Sequence, residues 1–173
     1  VNNFINFDQI RSDLHKREFK FVYAGRWTKS KGSDRLTNVF KSIDETLHVF
    51  GDKPNAPVNS NIIFHGKWKS ADIFEKAMCL VLLSRHEGFP NVALEARAAG
   101  CKIIVSKENA WLENIHILKN NVCVCRSDIE LRSALHDLKM SEVDGPLSNE
   151  QISRYNMTII DEILDFIDAN ILK

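Results

Sequence analysis

The chain has 173 residues, in which 23 Lys and Arg balance 23 Asp and Glu. That length makes one ordinary domain whose core needs no staple, and a net charge of zero excludes recruitment to nucleic acid or anionic membrane by an overall field. No apolar run is long enough to span a bilayer, nothing resembles a signal peptide, and no like-charge or low-complexity tract or internal repeat occurs.

In chain order, Val1 to Ile10 has no strong periodicity, and a start at Val1 rather than Met leads to the expectation of a fragment of a longer polypeptide. Lys20 to Ala24 reads as the first strand. A loop from Gly25 to Lys31 follows, then a helix capped by Ser33 with the stripe Leu36, Val39, Phe40 and Ile43. Leu47 to Phe50 is a second strand, Gly51 to Ser60 a surface loop holding Pro54 and Pro57, and Ile62 to Phe64 a third strand ended by Gly66. A short helix is expected from a Ser70 cap to Ala77. Apolar runs at Cys79 to Leu83 and Ile103 to Val105 read as strands buried on both faces. Between them lie a loop, Ser84 to Phe89, and a helix from Pro90, suited to a first helical position, to Ala99, stopped by Gly100. After Val105 an irregular stretch with Trp111 and Glu113 leads to the strand Val122 to Cys125. A helix follows with Leu131, Ala134, Leu135 and Leu138 on one face. Ser141 to Asn149 is a linker containing Gly145-Pro146, and a last helix, Ile152 to Ile171, carries Ile160, Ile163, Leu164, Ile167 and Ile171. The alternation of strand and helix predicts an α/β fold, a Rossmann-like doubly wound parallel sheet of about six strands with helices on both faces. Residues 1–18 are expected to be a connecting lead-in, 19–140 the Rossmann-like domain, and 141–173 a linker and terminal helix.

Cys79, Cys101, Cys123 and Cys125 all fall in or beside apolar runs. Cys123-Val124-Cys125 is not a zinc spacing, and strand alternation puts both sulfurs on one face, so buried free thiols in a reducing compartment are expected.

The chemistry concentrates between Val81 and Val105. In a parallel sheet, ligands sit at the loops after the strands' carboxyl ends. There the N–H groups of Asn91, Val92 and Ala93, opening a helix, favour an anion such as a diphosphate. Two carboxylates eight residues apart, Glu87 on the loop and Glu95 in the helix, fit beside an anion only if they face hydroxyls. That combination asks for a sugar nucleotide. On the loop after the first strand, Arg26 can fork onto phosphate oxygens and Lys31 supplies a point charge, with Gly25 and Gly32 allowing close backbone approach. A dinucleotide fingerprint fails: the loop lacks Gly-x-Gly-x-x-Gly and inserts Trp27, which leaves Asp52 as a turn residue.

The run Glu87-Gly88-Phe89-Pro90-Asn91-Val92-Ala93-Leu94-Glu95 resembles the Glu-x7-Glu motif of the retaining, GT-B-fold glycosyltransferases of family 4, the group 1 glycosyl transferases. Over most of its length the chain is similar to that family's C-terminal, donor-binding half. The resemblance implies that Arg26 and Lys31 bind the donor diphosphate. It also implies that Glu87 contacts hydroxyls of the transferred sugar, that Gly88 and Phe89 line the sugar pocket, and that Glu95 accepts both ribose hydroxyls. Backbone near Gly66 and Lys67 would read the base; Trp68 and Phe74 are read as packing residues and His86 as a loop histidine without catalytic duty. It implies metal-independent transfer of a hexose-type sugar with retention, from a UDP-sugar or, next, GDP-mannose, to a glycan, lipid or polysaccharide acceptor, with no further cofactor. The acceptor would be held by an N-terminal domain outside this chain, as part of the same polypeptide or as a partner. The expected location is cytoplasmic, with the inner membrane face reached through that missing half. The other reading is a non-catalytic nucleotide-sugar-binding or assembly domain. The chain departs from the family pattern at Leu83, Lys102 and Ala110-Trp111; Trp111 would narrow the sugar pocket or fill an interface.

Overall fold

The computed structural model describes residues 17–55, 58–67, 70–87, 90–138 and 145–170, with the side chains of 70–72 and 162–170 outside that description. The lead-in before residue 17 therefore lies outside the described residues, as do Trp68, Gly88, Phe89, residues 141–144 of the linker, and Ile171.

Six parallel strands form one sheet: β1 (Phe19–Ala24), β2 (Leu47–Phe50), β3 (Ile62–Gly66), β4 (Ala77–Leu82), β5 (Lys102–Ser106) and β6 (Val122–Cys125). Their order is β3-β2-β1-β4-β5-β6. The chain turns from one side of β1 to the other, and this switch at β1 and β4 opens the crevice where such sheets take ligands. The helices are α1 (Ser33–Phe40), α2 (Ser70–Glu75), α3 (Asn91–Ala98), α4 (Asp128–Asp137) and α5 (Asn149–Asn170), with a 3₁₀ helix over Lys107–Asn114.

The central strands are apolar throughout because both of their faces are covered. Phe21, Tyr23, Cys79, Val81 and Ile104 meet α1 and α4 on one side. Val22, Ala24, Leu80, Leu82, Ile103 and Val105 meet α2, α3 and Ile152 of α5 on the other. Each fully buried Leu or Phe contributes about 1.5–3 kcal/mol relative to exposure. The edge strand β3 instead leaves Ile63 open to water. The predicted doubly wound sheet is therefore the fold of this chain.

Several local expectations are corrected. Ser33 is the first residue of α1 rather than its cap; the cap is Gly32, at φ 82°, with no side-chain bond. Pro90 likewise caps α3 instead of opening it. Ala77 begins β4 and does not end α2. The stretch after Val105 is a 3₁₀ helix broken at Asn109 (φ −111°, ψ 16°), not irregular chain. Among the described side chains of α5, Ile152 and Ile159 are buried and Ile160 is exposed; Ile163, Leu164 and Ile167 of the expected stripe lie outside them. A capping box starts that helix: Gln151 N–H donates to Ser148 Oγ and Ser148 N–H to Gln151 Oε1. Leu147 N–H donates to the Ala98 carbonyl, which ties the start of α5 to the end of α3. All four thiols are free; Cys79, Cys101 and Cys125 are buried as expected, but Cys123, on the edge strand β6, is exposed. Burial pushes the Cys101 thiol up to about 12. Among the described residues no helix is long and apolar enough to cross a membrane.

Candidate functional site

The carboxyl ends of β1, β2 and β3 are drawn together by glycines. Gly25 N–H donates to the Phe50 carbonyl at 3.0 Å, and Gly51 bridges Gly66. A Cβ on Gly51 would lie 2.1 Å from the Gly25 carbonyl oxygen, so only glycine fits there. Gly66 has φ 78° and open space on its Cβ side, which leaves its backbone approachable at the strand end where base reading is expected.

The β1–α1 loop is wound on itself by Thr28 N–H to the Arg26 carbonyl and by Lys31 and Ser33 N–H to the Thr28 carbonyl. Tyr23 Oη donates to the Arg26 carbonyl at 2.8 Å. Burial holds the Tyr23 hydroxyl well above its ordinary range, the Glu87 charge adds to that, and Arg26 opposes it. Trp27 packs edge-on against Tyr23 (5.4 Å) and Phe64 (5.2 Å), so its ring joins β1 to β3. The Arg26 guanidinium is exposed.

The β4–α3 loop meets this one directly. Lys31 Nζ donates to Glu87 Oε2 at 2.6 Å, and Ser84 Oγ donates to Glu87 Oε1 at 2.6 Å. The Glu87 side chain is 9% exposed and that of Lys31 27%. Both oxygens of one nearly buried carboxylate are thus engaged, one by a cation and one by a hydroxyl. The two loops lie so close because Gly32 presses on the end of β4: a Cβ there would stand 2.3 Å from the Leu83 carbonyl oxygen. The glycine at 32, read as room for a ligand, in fact makes room for Leu83.

Further contacts lace the loops. Arg85 forks onto Asp34 at 2.8 and 2.7 Å and donates to the Lys29 carbonyl, while its N–H donates to the Ser30 carbonyl. Arg35 forks onto Glu108 at 3.1 and 2.7 Å and reaches the Leu83 carbonyl at 3.3 Å. This pairing holds the Glu108 carboxyl down at about 2. Beneath Ser84, buried Asn109 donates from Nδ2 to the Ser84 carbonyl at 2.8 Å. Tyr23, Ser84, Arg85, Asp34 and Asn109 were given no role by sequence reasoning. Only the hydroxyl of Ser84, three residues before Glu87, offered a usable signal.

The structure thus brings Gly25, Arg26, Lys31, Gly66, Lys67 and Glu87 to one edge of the sheet. Glu95 is half-buried in α3, not the exposed helix acid it would otherwise be. Of the three N–H groups expected to face an anion, that of Ala93 is already donated to the Pro90 carbonyl at 2.9 Å. His86 and Asp52 are exposed, in keeping with their bland readings, and Phe74 is buried. Trp111 packs half-buried against the α3 side of the core. Among the described residues no group of three His, Cys, Asp or Glu is placed to share a metal ion. A cavity of about 780 Å³, lined by Arg97, Ile117, Asn121 and Tyr155, opens at the other end of the sheet, so volume alone would misplace this site.

Comparison with known proteins locates the chain. The family model described as "Glycosyl transferases group 1" matches residues 18–138. An uncharacterized 41.2 kDa protein in the cps region of Klebsiella pneumoniae is 28% identical over 106 residues, covering 55% of this chain and 29% of that protein. Sucrose-phosphate synthase of Thermosynechococcus elongatus superposes with a TM-score of 0.68 at 17% identity, over 96% of this chain and 51% of that one. WaaG, a glycosyltransferase involved in lipopolysaccharide biosynthesis, superposes with a TM-score of 0.59 at 23% identity, over 73% and 41%. These two likenesses are of fold. The chain spans less than a third of the length of the curated relative it matches.

Proposed function

The chain belongs to the group 1 glycosyl transferases, and from that premise we propose that it is the donor-binding half of a retaining GT-B enzyme of family 4. The observation that carries the reading is the contact at 2.6 Å between Lys31, of the diphosphate loop, and Glu87, which opens the Glu-x7-Glu motif. A cation for phosphate and an acid for sugar hydroxyls stand side by side at a sheet's ligand edge.

In this reading the diphosphate lies over the β1–α1 loop against Arg26 and Lys31, and the base lies toward Gly66 and Lys67. Glu95 takes the ribose hydroxyls and Glu87 those of the transferred hexose, beside Gly88 and Phe89. Transfer breaks the bond from the anomeric carbon to the diphosphate oxygen and forms one to the acceptor hydroxyl oxygen on the same face, with the hydroxyl proton passing to the departing diphosphate oxygen. Negative charge gathers on the departing oxygen, where Arg26 and Lys31 hold it without a metal ion. UDP is the favoured nucleotide and GDP the next. The Klebsiella relative's place in a cps region and the role of WaaG in lipopolysaccharide biosynthesis favour a glycan or polysaccharide acceptor at the cell envelope. An N-terminal domain would hold that acceptor.

A calorimetric panel of UDP, GDP and ADP with their sugar derivatives, run with and without a chelator, tests this reading. Binding of one nucleotide sugar, unchanged by chelation, is expected. No binding to the folded protein at millimolar ligand would overturn the donor-site reading, and a strict need for a divalent cation would overturn the metal-free one.

A further inference from the structure

Glu87 does not hold its own position; the groups around it do. Its loop begins at Ser84, which has no exposed surface, and the Ser84 hydroxyl is bonded to Glu87 Oε1 at 2.6 Å. For that hydroxyl to stay aimed, the Ser84 backbone must be fixed, and Ser84 lies two residues past the end of β4, beyond the sheet's ladder. Two side chains do the fixing, one from the end of β5 and one from the 3₁₀ helix that follows it. Asn109 Nδ2 donates to the Ser84 carbonyl at 2.8 Å, and Ser106 Oγ donates to the same oxygen at 3.3 Å. Asn109 also donates to Ser106 Oγ at 3.3 Å.

Asn109 is shaped for this duty. It is fully buried, and the 3₁₀ helix breaks at this residue, whose backbone takes a non-helical conformation. An amide sealed from water costs free energy unless bonded. Asn109 Nδ2 donates to the backbone oxygen behind Glu87 and to the neighbouring Ser106, while its Oδ1 is buried without a hydrogen-bond partner, so the amide is held in place by its donor side alone. Aspartate has the same shape but, ionised, is an acceptor only. Placed here it would face the Ser84 carbonyl oxygen with a like-signed oxygen of its own.

We infer that Asn109 is a positioning residue, which acts through the Ser84 carbonyl and hydroxyl to set the Glu87 carboxylate for the hydroxyls of the donor sugar. The inference rests on the proposed role of Glu87 and predicts which part of the donor Asn109 controls. The diphosphate is held by Arg26 and Lys31, and Asn109 contacts neither of them directly: its chain of contacts meets Lys31 only through Glu87. Asn109 therefore governs the extra affinity that the sugar adds to the bare nucleotide.

The test compares the wild-type chain with Asn109→Asp, Asn109→Ala and Glu87→Gln in binding UDP against UDP-glucose and UDP-N-acetylglucosamine, and GDP against GDP-mannose. The wild type is expected to bind one sugar derivative about tenfold more tightly than its nucleotide, the scale of a hydrogen bond to a charged group. Both Asn109 variants are expected to reduce that ratio to near one, with nucleotide affinity held within about threefold. Asn109→Ala introduces no buried charge and keeps the test open if the aspartate variant does not fold. If Glu87→Gln abolishes the ratio while a folded Asn109 variant keeps it, the inference is overturned and the donor reading stands. If the wild type shows no ratio, or Glu87→Gln retains it, the reading of Glu87 fails and the inference fails with it. A loss of thermal stability in the Asn109 variants with the ratio intact would mark a merely structural residue and also overturn the inference.

Discussion

Lys31 and Glu87 hold each other at 2.6 Å from two different crossover loops, and Ser84 occupies the second carboxylate oxygen at the same distance. In the proposed complex the pair must be shared with ligand, since Lys31 is wanted by phosphate and Glu87 by sugar. Removing the charge of Glu87 should then act in opposite directions on the two halves of a donor. Glu87→Gln is expected to tighten binding of bare UDP, as Lys31 is released from its ion pair with a nearly buried carboxylate. The same change should weaken binding of the sugar nucleotide. Titration calorimetry with both ligands reads the two signs, and a shift of both affinities in the same direction would show that the pair is structural.

Arg26 and Lys31 should differ in what their loss does to the fold. Each alanine variant is expected to weaken nucleoside diphosphate binding by about 1.5–3 kcal/mol, the range for hydrogen bonds to charged groups, and to leave uridine binding unchanged. Arg26 is exposed, so Arg26→Ala should not alter the melting temperature. Lys31→Ala strands a carboxylate that is only 9% exposed and should lower it. Equal losses for uridine and UDP would mean that the loop shapes the protein instead of holding phosphate.

Gly32 is the tightest point between the two loops. It combines φ 82° with a Leu83 carbonyl oxygen 2.3 Å from where a Cβ would stand. Gly32→Ala therefore pays twice, about 1–2 kcal/mol for a left-handed conformation and more for moving the end of β4. A loss of at least 2 kcal/mol in urea unfolding is expected, with the Lys31–Glu87 contact opened and nucleotide binding weakened alongside. Stability unchanged within 0.5 kcal/mol, about the spread of neutral surface changes, would contradict this packing.

The sheet was legible in sequence because its central strands are buried on two faces and read as unbroken apolar runs, as in Leu80 to Leu83 and Ile103 to Val105. The motif acids were legible by their spacing, and Arg26 and Lys31 by charge beside glycine. What was not legible depends on contacts between segments distant in sequence. Ser33 looks like the better helix cap, yet the chain needs a positive φ at Gly32 to pass Leu83. Ala110, Trp111 and Leu112 have no helical period, so the 3₁₀ helix gave no pattern. Asn109 resembles a turn residue until its amide is found beneath Ser84, 25 positions away. Ile152 and Ile159 are buried and Ile160 is not, a choice fixed by where Leu147 docks on α3 and not by the apolar period of α5.

The Arg35–Glu108 fork braces the same region and should carry an acid limit. Glu108 ionises at about 2 in the folded chain, against an ordinary value of 4.5, chiefly because Arg35 donates to its carboxylate. A depressed folded value means stabilisation that is complete above the unfolded value and fades as pH falls toward the folded one. The difference in unfolding free energy between wild type and Glu108→Gln is therefore expected to be constant near neutrality. For this partly exposed pair it should be about 1 kcal/mol, and it should shrink between about pH 4.5 and 2. A difference that grew on acidification would have the wrong sign for this pairing.

The last prediction concerns what these 173 residues do by themselves. Sugar transfer needs donor and acceptor oxygen held in reacting geometry, which supplies much of the rate, inside a cleft that excludes water. Among the described residues, Gly25, Arg26, Lys31, Gly66 and Glu87 lie on one edge of one sheet, with Arg26 and His86 exposed. Nothing among the described residues stands opposite Glu87 to hold an acceptor or shield the anomeric carbon. Arg26 and Lys31 can still neutralise a diphosphate and Glu87 can still meet a hydroxyl, because those interactions need only this wall. The chain alone is therefore expected to bind a nucleotide sugar without turning it over, and to transfer once an acceptor-binding domain is joined to it or added as a partner. Incubation with a radiolabelled donor, followed by separation of free sugar and glycosylated products, measures both outcomes. Sustained transfer by the 173 residues alone would mean that the described edge is a complete active site, and that the acceptor is held by this domain.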